Sequence, residues 1–521
     1  MSLIRSTFTV GIFTATSRIL GMLREVLLSH ILGASTISDA FVVAFKMPNF
    51  FRRFFGEGAF NAAFVPLFAS KLTSHGPDDA KKMAEQIFAV MAWALLIFVV
   101  VVLIFTKPFL LLTVPGLLKT PERLNLAVTF TRFTFPYIFF ISLVALLSGI
   151  LNSLDKFAAA AAVPILLNVV MISALLCIPT YGLDPGIALC IGVFVAGALQ
   201  FGWMYLMCRH YGFTIRLRLP HLTRDVRQVL RKMLPGAFGA GVMQINLFID
   251  MALASFLPVG AMTYLYYADR LNQLPLSVFG VAISTVLLPT LSRQWRQHKN
   301  EEAHQTQRKA LEFSLQLTFP AAVGLAVYAL PFIDMMYGHG KFKPVDVLAT
   351  APALAAFVLG LPAYVAGKVF STTFFSLHDT KTPVKVAIGT IALNLVLNIV
   401  LMRIFLHVGL ALATSLTAWV NTLILGVILT RRGHFRFDWG LASNLIRMAI
   451  AALLMGAFLY GVQAFFAYPT DSLVLEVVYC MSGIAAGMVV YFVIAHMMGV
   501  SSFPLIKRMA HKLYAQGQKG A

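Results

Sequence analysis

Charge is scarce in this 521-residue chain: 12% of its residues are Asp, Glu, Lys or Arg, about half the share of a soluble globular protein. Acid is scarcer than base, with 21 Asp and Glu against 41 Lys and Arg, while 59% of the residues are hydrophobic. That balance excludes a soluble enzyme or binding module and describes a polytopic membrane protein. Cysteine is nearly missing. Cys177, Cys190, Cys208 and Cys480 lie scattered in apolar segments without a CxxC pair, which argues against a disulfide framework or a zinc site. The first apolar run is interrupted by Arg18 and Arg24 and lacks a small-residue cleavage site, so it is expected to stay as a helix rather than be removed as a leader. Catalytic groupings are also lacking. His75, His210, His221, His298, His304 and His339 fall at loops and ends, with no HExxH, no paired His and Asp, and no nucleophile beside a base, so the chain is read as a non-enzyme.

Apolar windows bounded by Pro, Gly or charge clusters give fourteen expected spans in an all-α fold: roughly 7–32, 36–70, 83–106, 124–151, 158–178, 186–207, 234–256, 263–292, 313–335, 347–375, 386–402, 409–429, 442–467 and 473–498. The second and eighth are too long for one straight crossing. They contain Pro48 with Gly56 and Gly58, or Pro275 with Gly280, and are expected to be bent or broken helices. With the N-terminus inside, the inner loops and tail hold 26 Lys and Arg and the outer loops six: Lys107, Lys119, Arg123, Lys341, Lys343 and Arg403. Basic residues favour the cytoplasmic side, so both ends are expected there. The net charge of +20 then serves anionic lipid headgroups rather than nucleic acid.

An internal echo relates SDAFVVAF…PNFFRRFFGEGAFNAAFVPLFAS to YYADRLNQLPLSVFGVAISTVLLPTLS, aligning Asp39 with Asp269 and Pro66 with Pro289. It implies six-helix lobes over 1–208 and 234–430. A basic linker covers 209–233, helices 13 and 14 fill 431–500 as a candidate lipid-tail groove, and a basic tail covers 501–521. Paired lobes with broken helices in matching places point to a transporter with its substrate between them.

Nine basic residues remain inside spans: Arg18, Arg24, Lys46, Arg52, Arg53, Arg132, Arg270, Lys368 and Arg447. Each costs roughly 3 kcal/mol at a helix centre. Against them stand Glu25, Asp39, Glu57, Asp250 and Asp269, so positive charge is in surplus. Arg18 and Arg24 on helix 1, Arg52 on helix 2, Arg270 on helix 8 and Lys368 on helix 10 are expected to line a wet cavity that draws an anion. The Arg fork suits phosphate. Arg53 points about 100° from Arg52 and serves either the cavity or the interface; Arg447 and Arg132, near helix ends, are read as structural. Adjacent residues diverge on a helix, so Glu25 and Asp269 are expected to pair with other helices rather than with Arg24 and Arg270. Asp39 is a candidate partner, as a gate latch or a rotamer clamp. Asp250 with Asn394, Asn398 and Thr414 offers oxygen ligands for Na⁺ or a proton, or else a plain polar cluster.

The stretches TSRILGMLRE (16–25), SDAFVVAFKMPNFFRRFFGEGAFNAAFVP (38–66), YYADRLNQLPLSVFGVAISTVLLPTLS (266–292) and DTKTPVK (379–385) resemble the MurJ (MviN) lipid II flippase family of the multidrug/oligosaccharidyl-lipid/polysaccharide exporter superfamily. The resemblance runs through all fourteen spans. It implies movement of undecaprenyl-pyrophosphoryl-MurNAc-pentapeptide-GlcNAc from the inner to the outer leaflet of the bacterial cytoplasmic membrane for peptidoglycan synthesis, by alternating access. Important cavity residues carry over to Arg18, Arg24, Asp39, Arg52 and Arg270, with Asn49, Glu57 and Lys368 beside them; a carboxylate of some relatives is Gln273 here. Expected partners are lipid II, membrane lipids and the wall-synthesis machinery. No cofactor is expected beyond Na⁺, H⁺ or the membrane potential as a source of coupling. Competing readings are a flippase for another polyprenyl-pyrophosphate glycan, an intramembrane lipid pyrophosphatase and a scaffold without transport.

Overall fold

The computed structural model describes residues 3–55, 59–216, 218–277, 281–469 and 472–500, and among them the chain is helical with no strand. Glu57, the Arg53 side chain and the tail 501–521 lie outside the described residues. Hydrocarbon offers backbone groups no partner, so a chain this apolar satisfies them within helices.

In order these are α1 (Leu3–Leu32), α2 (Thr36–Phe55), α3 (Ala59–His75), α4 (Pro77–Ile104), α5 (Thr106–Thr113), a 3₁₀ turn (Pro115–Lys119), α6 (Pro121–Thr134), α7 (Tyr137–Ser153), α8 (Phe157–Tyr181), α9 (Pro185–His210) and α10 (Arg224–Ala254). Then come α11 (Ala261–Pro275), α12 (Val281–Arg296), α13 (Asn300–Val327), α14 (Ala329–Tyr337), α15 (Pro344–Val358), α16 (Leu361–Ser376), α17 (Lys381–Arg431), α18 (Trp439–Phe465) and α19 (Leu473–Met497). Among the described residues, each expected window falls mostly on helix. The expected breaks of the second and eighth windows, at 56–58 and 278–280, lie outside the described residues, while the fourth and tenth windows divide around Pro136 and before Pro362. Nine stretches among the described residues are long and apolar enough to cross a membrane. The helices α1 and α2 are not among them, interrupted as they are by Arg18, Arg24, Asp39, Lys46 and Arg52.

Two compact units result. One comprises Met1–Tyr264 with Tyr337–Asp346, and the other Leu265–Met336 with Val347–Ala521. In the first, α8 packs between α1 and α9, α2 against α6, and α3 against α10. In the second, α13 packs against both α16 and α18, and α18 carries α19. The α13–α18 contact is close because α18 presents Gly456 to Val323, whose methyl would sit 2.5 Å from an added Cβ; small residues are how membrane helices bring backbones together.

The 51-residue α17 is two helices folded back on each other. Leu406 has a left-handed backbone (φ 51°), and Gly409 meets the Leu401 carbonyl so closely that a Cβ would lie 2.2 Å from its oxygen. On a straight helix Asn394 and Thr417 would be about 35 Å apart, yet the Asn394 amide donates to Thr417 Oγ1 at 3.4 Å. The windows 386–402 and 409–429 are therefore separate antiparallel helices, as their sequences predict. The DTKTPVK turn opens this hairpin. Asp379 accepts from the Thr382 N–H (2.9 Å), the Thr382 hydroxyl (2.6 Å) and Arg432 (2.7 Å). Burial alone would push its carboxyl up, but those donors outweigh it and hold it at about 2.

Pro48 lies inside α2 and lacks the N–H that would bond the Ala44 carbonyl. Thr134, at the end of α6 and fully buried, donates its hydroxyl to that carbonyl at 2.8 Å. Thr134→Val should therefore cost about 1–3 kcal/mol, read as unfolding of the purified protein in detergent. In a Pro48→Ala background the helix supplies its own N–H, and most of the loss should vanish; an equal loss in both backgrounds would contradict this assignment.

Candidate functional site

Asp39 is fully buried in the first turn of α2 and accepts four hydrogen bonds within the first unit. Its Oδ1 takes the Thr263 N–H at 3.0 Å and the Thr263 hydroxyl at 2.7 Å. Its Oδ2 takes the Gly260 N–H at 2.9 Å and the Arg123 guanidinium at 3.2 Å. The two N–H groups belong to the N-terminal end of α11, where helical donors lack partners of their own. A carboxylate from another helix thus caps α11. Gly260, with φ +92°, supplies a turn that a side chain would strain. Arg123, 1% exposed, also donates to the Ser255 carbonyl at 2.8 Å, and the Ser255 hydroxyl accepts from the Gly116 N–H at 2.9 Å. One ion pair so ties α2, α6, the 3₁₀ turn, the end of α10 and the start of α11. Arg123 was expected in an outer loop; instead its α6 position turns it inward, where the Asp39 carboxylate offsets its charge.

Residues 337–346 join the same unit. The Lys341 N–H donates to the His30 carbonyl at 2.9 Å, and Tyr264 donates to Asp346 at 2.8 Å.

Arg24, 7% exposed on α1, donates to Glu25 at 2.5 Å and to Asn168 Oδ1 of α8 at 3.0 Å, and lies over the Phe45 ring. Asn168 in turn donates to the Ser17 carbonyl at 2.9 Å. The expectation that Glu25 would avoid its neighbour is therefore not met. Adjacent side chains leave a helix about 100° apart, but the Arg arm is long enough to curl round, and a charge this buried takes the nearest counter-charge. Arg18, six residues earlier on α1, is exposed.

On α2, Phe50 packs on Phe248 at 3.8 Å between ring centres, and Phe51 joins Phe98, Phe109 and Phe135. Phe45, Phe50 and Phe51 thus pack inside the first unit, while Arg52 and Asn49 remain half-buried. The Asn49 amide donates to the Phe45 carbonyl one turn back, at 2.8 Å. Asp250, half-buried, lies near the end of α10.

In the second unit, Arg270 donates to the Tyr266 hydroxyl at 3.0 Å and stacks over its ring at 4.8 Å. Asp269 accepts from Gln273 one turn on, so it too finds its partner on its own helix. Lys368 is exposed on α16. Asn394 and Asn398 are fully buried and joined by a 2.8 Å hydrogen bond. Thr414 bonds the Leu410 carbonyl of its own helix, and it is Thr417 that meets Asn394. No group of three or more His, Cys, Asp or Glu among the described residues forms a metal cluster.

In the sequence Arg123 counts only as an outer-loop cation, and Asn168, Thr263 and Glu85 belong to none of the candidate sites. Glu85, 1% exposed in α4, accepts from Arg218 at 2.6 Å and from the Arg216 N–H at 3.2 Å; it lies inside an expected span, and its acid alone was a usable signal. Removing either member of the buried Asp39–Arg123 pair should cost about 3–5 kcal/mol, because the survivor is left uncompensated. Asp39→Ala with Arg123→Ala should cost well under the sum of the singles in thermal unfolding; additive losses would contradict the pairing.

A family model described as "Lipid II flippase MurJ" matches residues 28–479. A "Probable lipid II flippase MurJ" of Rhizobium meliloti (strain 1021) is 39% identical over 516 residues, 98% of this chain and 96% of that protein. A "Lipid II flippase MurJ" of Burkholderia cenocepacia is 36% identical over 468 residues, 88% of this chain and 90% of that one. Among solved structures, "Lipid II flippase MurJ, inward closed conformation" superposes with a TM-score of 0.79 at 28% identity, over 94% of this chain and 98% of that one. An inward-facing multidrug resistance MATE family transporter of the MOP superfamily gives 0.65 at 15% identity, over 80% and 95%, a likeness of fold alone. With its buried ion pairs, apolar spans and matches along nearly the whole length, the chain is a multi-pass protein of the bacterial cytoplasmic membrane that belongs to the MurJ lipid II flippase family.

Proposed function

We propose that this chain moves lipid II from the inner to the outer leaflet by alternating access, with the pyrophosphate held by Arg18, Arg24, Arg52 and Arg270 and assisted by Asn49 and Lys368. The observation that carries the reading is the concentration of guanidinium groups on α1, α2 and α11 in a chain whose relatives bear that function in their names. A headgroup that cannot cross roughly 30 Å of hydrocarbon needs such a lining, and the Arg fork matches phosphate oxygens. Arg24 would exchange Glu25 for the phosphate, keeping its charge matched throughout. Asp39 serves as the gate, since its clasp with Arg123, Gly260 and Thr263 is an element whose release would free the start of α11, the helix that carries Asp269 and Arg270.

Both ends lie in the cytoplasm in this scheme. The cycle is reset by Na⁺ or H⁺ at Asp250, Asn394, Asn398 and Thr414, or by the membrane potential, worth about 2.3 kcal/mol per charge per 100 mV. The second reading is a different polyprenyl-pyrophosphate glycan, favoured by the same cations, because the residues named above recognise phosphate and not sugar.

Depleting the protein in cells that carry a leaflet-specific probe for lipid II should trap lipid II on the inner face, and Arg270→Ala should fail to restore delivery while inserting normally. Unchanged outward delivery on depletion would overturn the assignment, and release of inorganic phosphate from the lipid by purified protein would favour an enzyme.

A further inference from the structure

The first unit holds an apolar cleft of about 190 Å³ between α3, α4 and α10, lined among others by Phe60, Ile87, Met91, Leu95, Val229 and Met233. It runs along α4 from Ile87 to Phe98, about 16 Å at a helical rise of 1.5 Å per residue. It has room for about six methylene groups if each takes the volume of a water molecule, and no charged residue lines it. The cleft begins where α10 starts. There Thr223 caps the helix, Lys71 of α3 holds Asp225 at 3.0 Å, and Glu85 of α4, two residues before Ile87, holds Arg218 at 2.6 Å.

The first turns of α10 are sharply two-sided. Val226, Val229, Leu230 and Met233 face the cleft. Arg224, Arg227 and Arg231, at i, i+3 and i+7, share one flank, and with Lys232 they are exposed, with no carboxylate partner among the described residues. Lys71 and Arg218 already have their acids. The mouth of an apolar slot is therefore bordered by net positive charge, whereas its interior suits only hydrocarbon.

We propose that this cleft is a binding site for an anionic phospholipid of the surrounding bilayer, with part of one acyl chain in the slot and the phosphate at Arg224, Arg227 and Arg231. Charge complementarity selects the headgroup, and the apolar lining selects the chain. The substrate's polyprenyl tail is not the occupant. The slot is too small for a long methyl-branched chain, and its cations lie outside the set assigned to the pyrophosphate. The site would hold the linker 209–223 and the start of α10 against α3 and α4 whenever the lipid is bound.

The test titrates the full-length protein in uncharged detergent with dioleoyl phosphatidylglycerol or dioleoyl phosphatidylcholine, counting bound lipid by native mass spectrometry. The wild type should bind phosphatidylglycerol at least 10-fold more tightly. Arg224→Gln with Arg227→Gln and Arg231→Gln should abolish that preference while leaving weak binding of both lipids, and Ala94→Phe, which fills the slot from its place on the α4 wall, should weaken both. If Ala94→Phe does not fold, Ala94→Leu should give the same result in smaller degree. Equal wild-type affinity for the two lipids, a preference that survives the triple substitution, or undiminished binding when the slot is filled would each overturn the site.

Discussion

Asp39 carries a carboxylate where the protein interior has replaced water, and four donors stand in for the lost hydration. A buried charge of this kind tolerates no vacancy: removing one partner costs several kcal/mol, whereas the complete set roughly offsets the desolvation of both ions. That requirement fixes much of the first unit. Arg123 has to point inward, Ser255 has to present its carbonyl, and α11 has to begin at Gly260 with its first N–H groups aimed at α2. The same rule governs Arg24 with Glu25 and Asn168, and Glu85 with Arg218. Among the described residues, buried Asp39, Arg123, Arg24, Glu25 and Glu85 each meet an opposite charge.

Two of the helices carrying those charges, α1 and α2, are poorly suited to hydrocarbon. Neither is among the nine stretches of the described residues apolar enough to cross a membrane, and α2 divides its labour between Phe50 and Phe51, packed inside the unit, and a half-buried Arg52. A flippase needs such polar helices, because the headgroup of its substrate has to be offered something better than lipid tails. The proposed function makes the half-buried and exposed cations available to phosphate, with Arg24 joining them when it exchanges Glu25, and reserves Arg123 for holding helices together.

Hydropathy made the helical class and the placement of the spans legible, since a length of apolar sequence is a nearly complete description of a membrane helix. α17 turns back at Leu406, where the eleventh and twelfth windows separate. What periodicity could not show were helix ends in water: α10 begins at Arg224 and α13 at Asn300, before their apolar windows, because amphipathic turns capped by Thr223 or led by Glu301 and Glu302 extend them. Pairing was legible only in part. Asp39 and Arg24 were singled out as charges needing partners, but Arg123 was hidden by its place beside an apparent loop. Thr134 carried no signal at all until the carbonyl freed by Pro48 was seen beside it. Backbone carbonyls have no letter in the sequence.

The central claim is that guanidinium groups on α1, α2 and α11 engage a diphosphate. Binding of lipid II to the purified protein, compared with an analogue whose pyrophosphate is replaced by an uncharged linker, tests it most directly. The account predicts that the wild type prefers the diphosphate at least 10-fold and that Arg52→Gln with Arg270→Gln erases the preference. Equal binding of the two ligands by the wild type would contradict it.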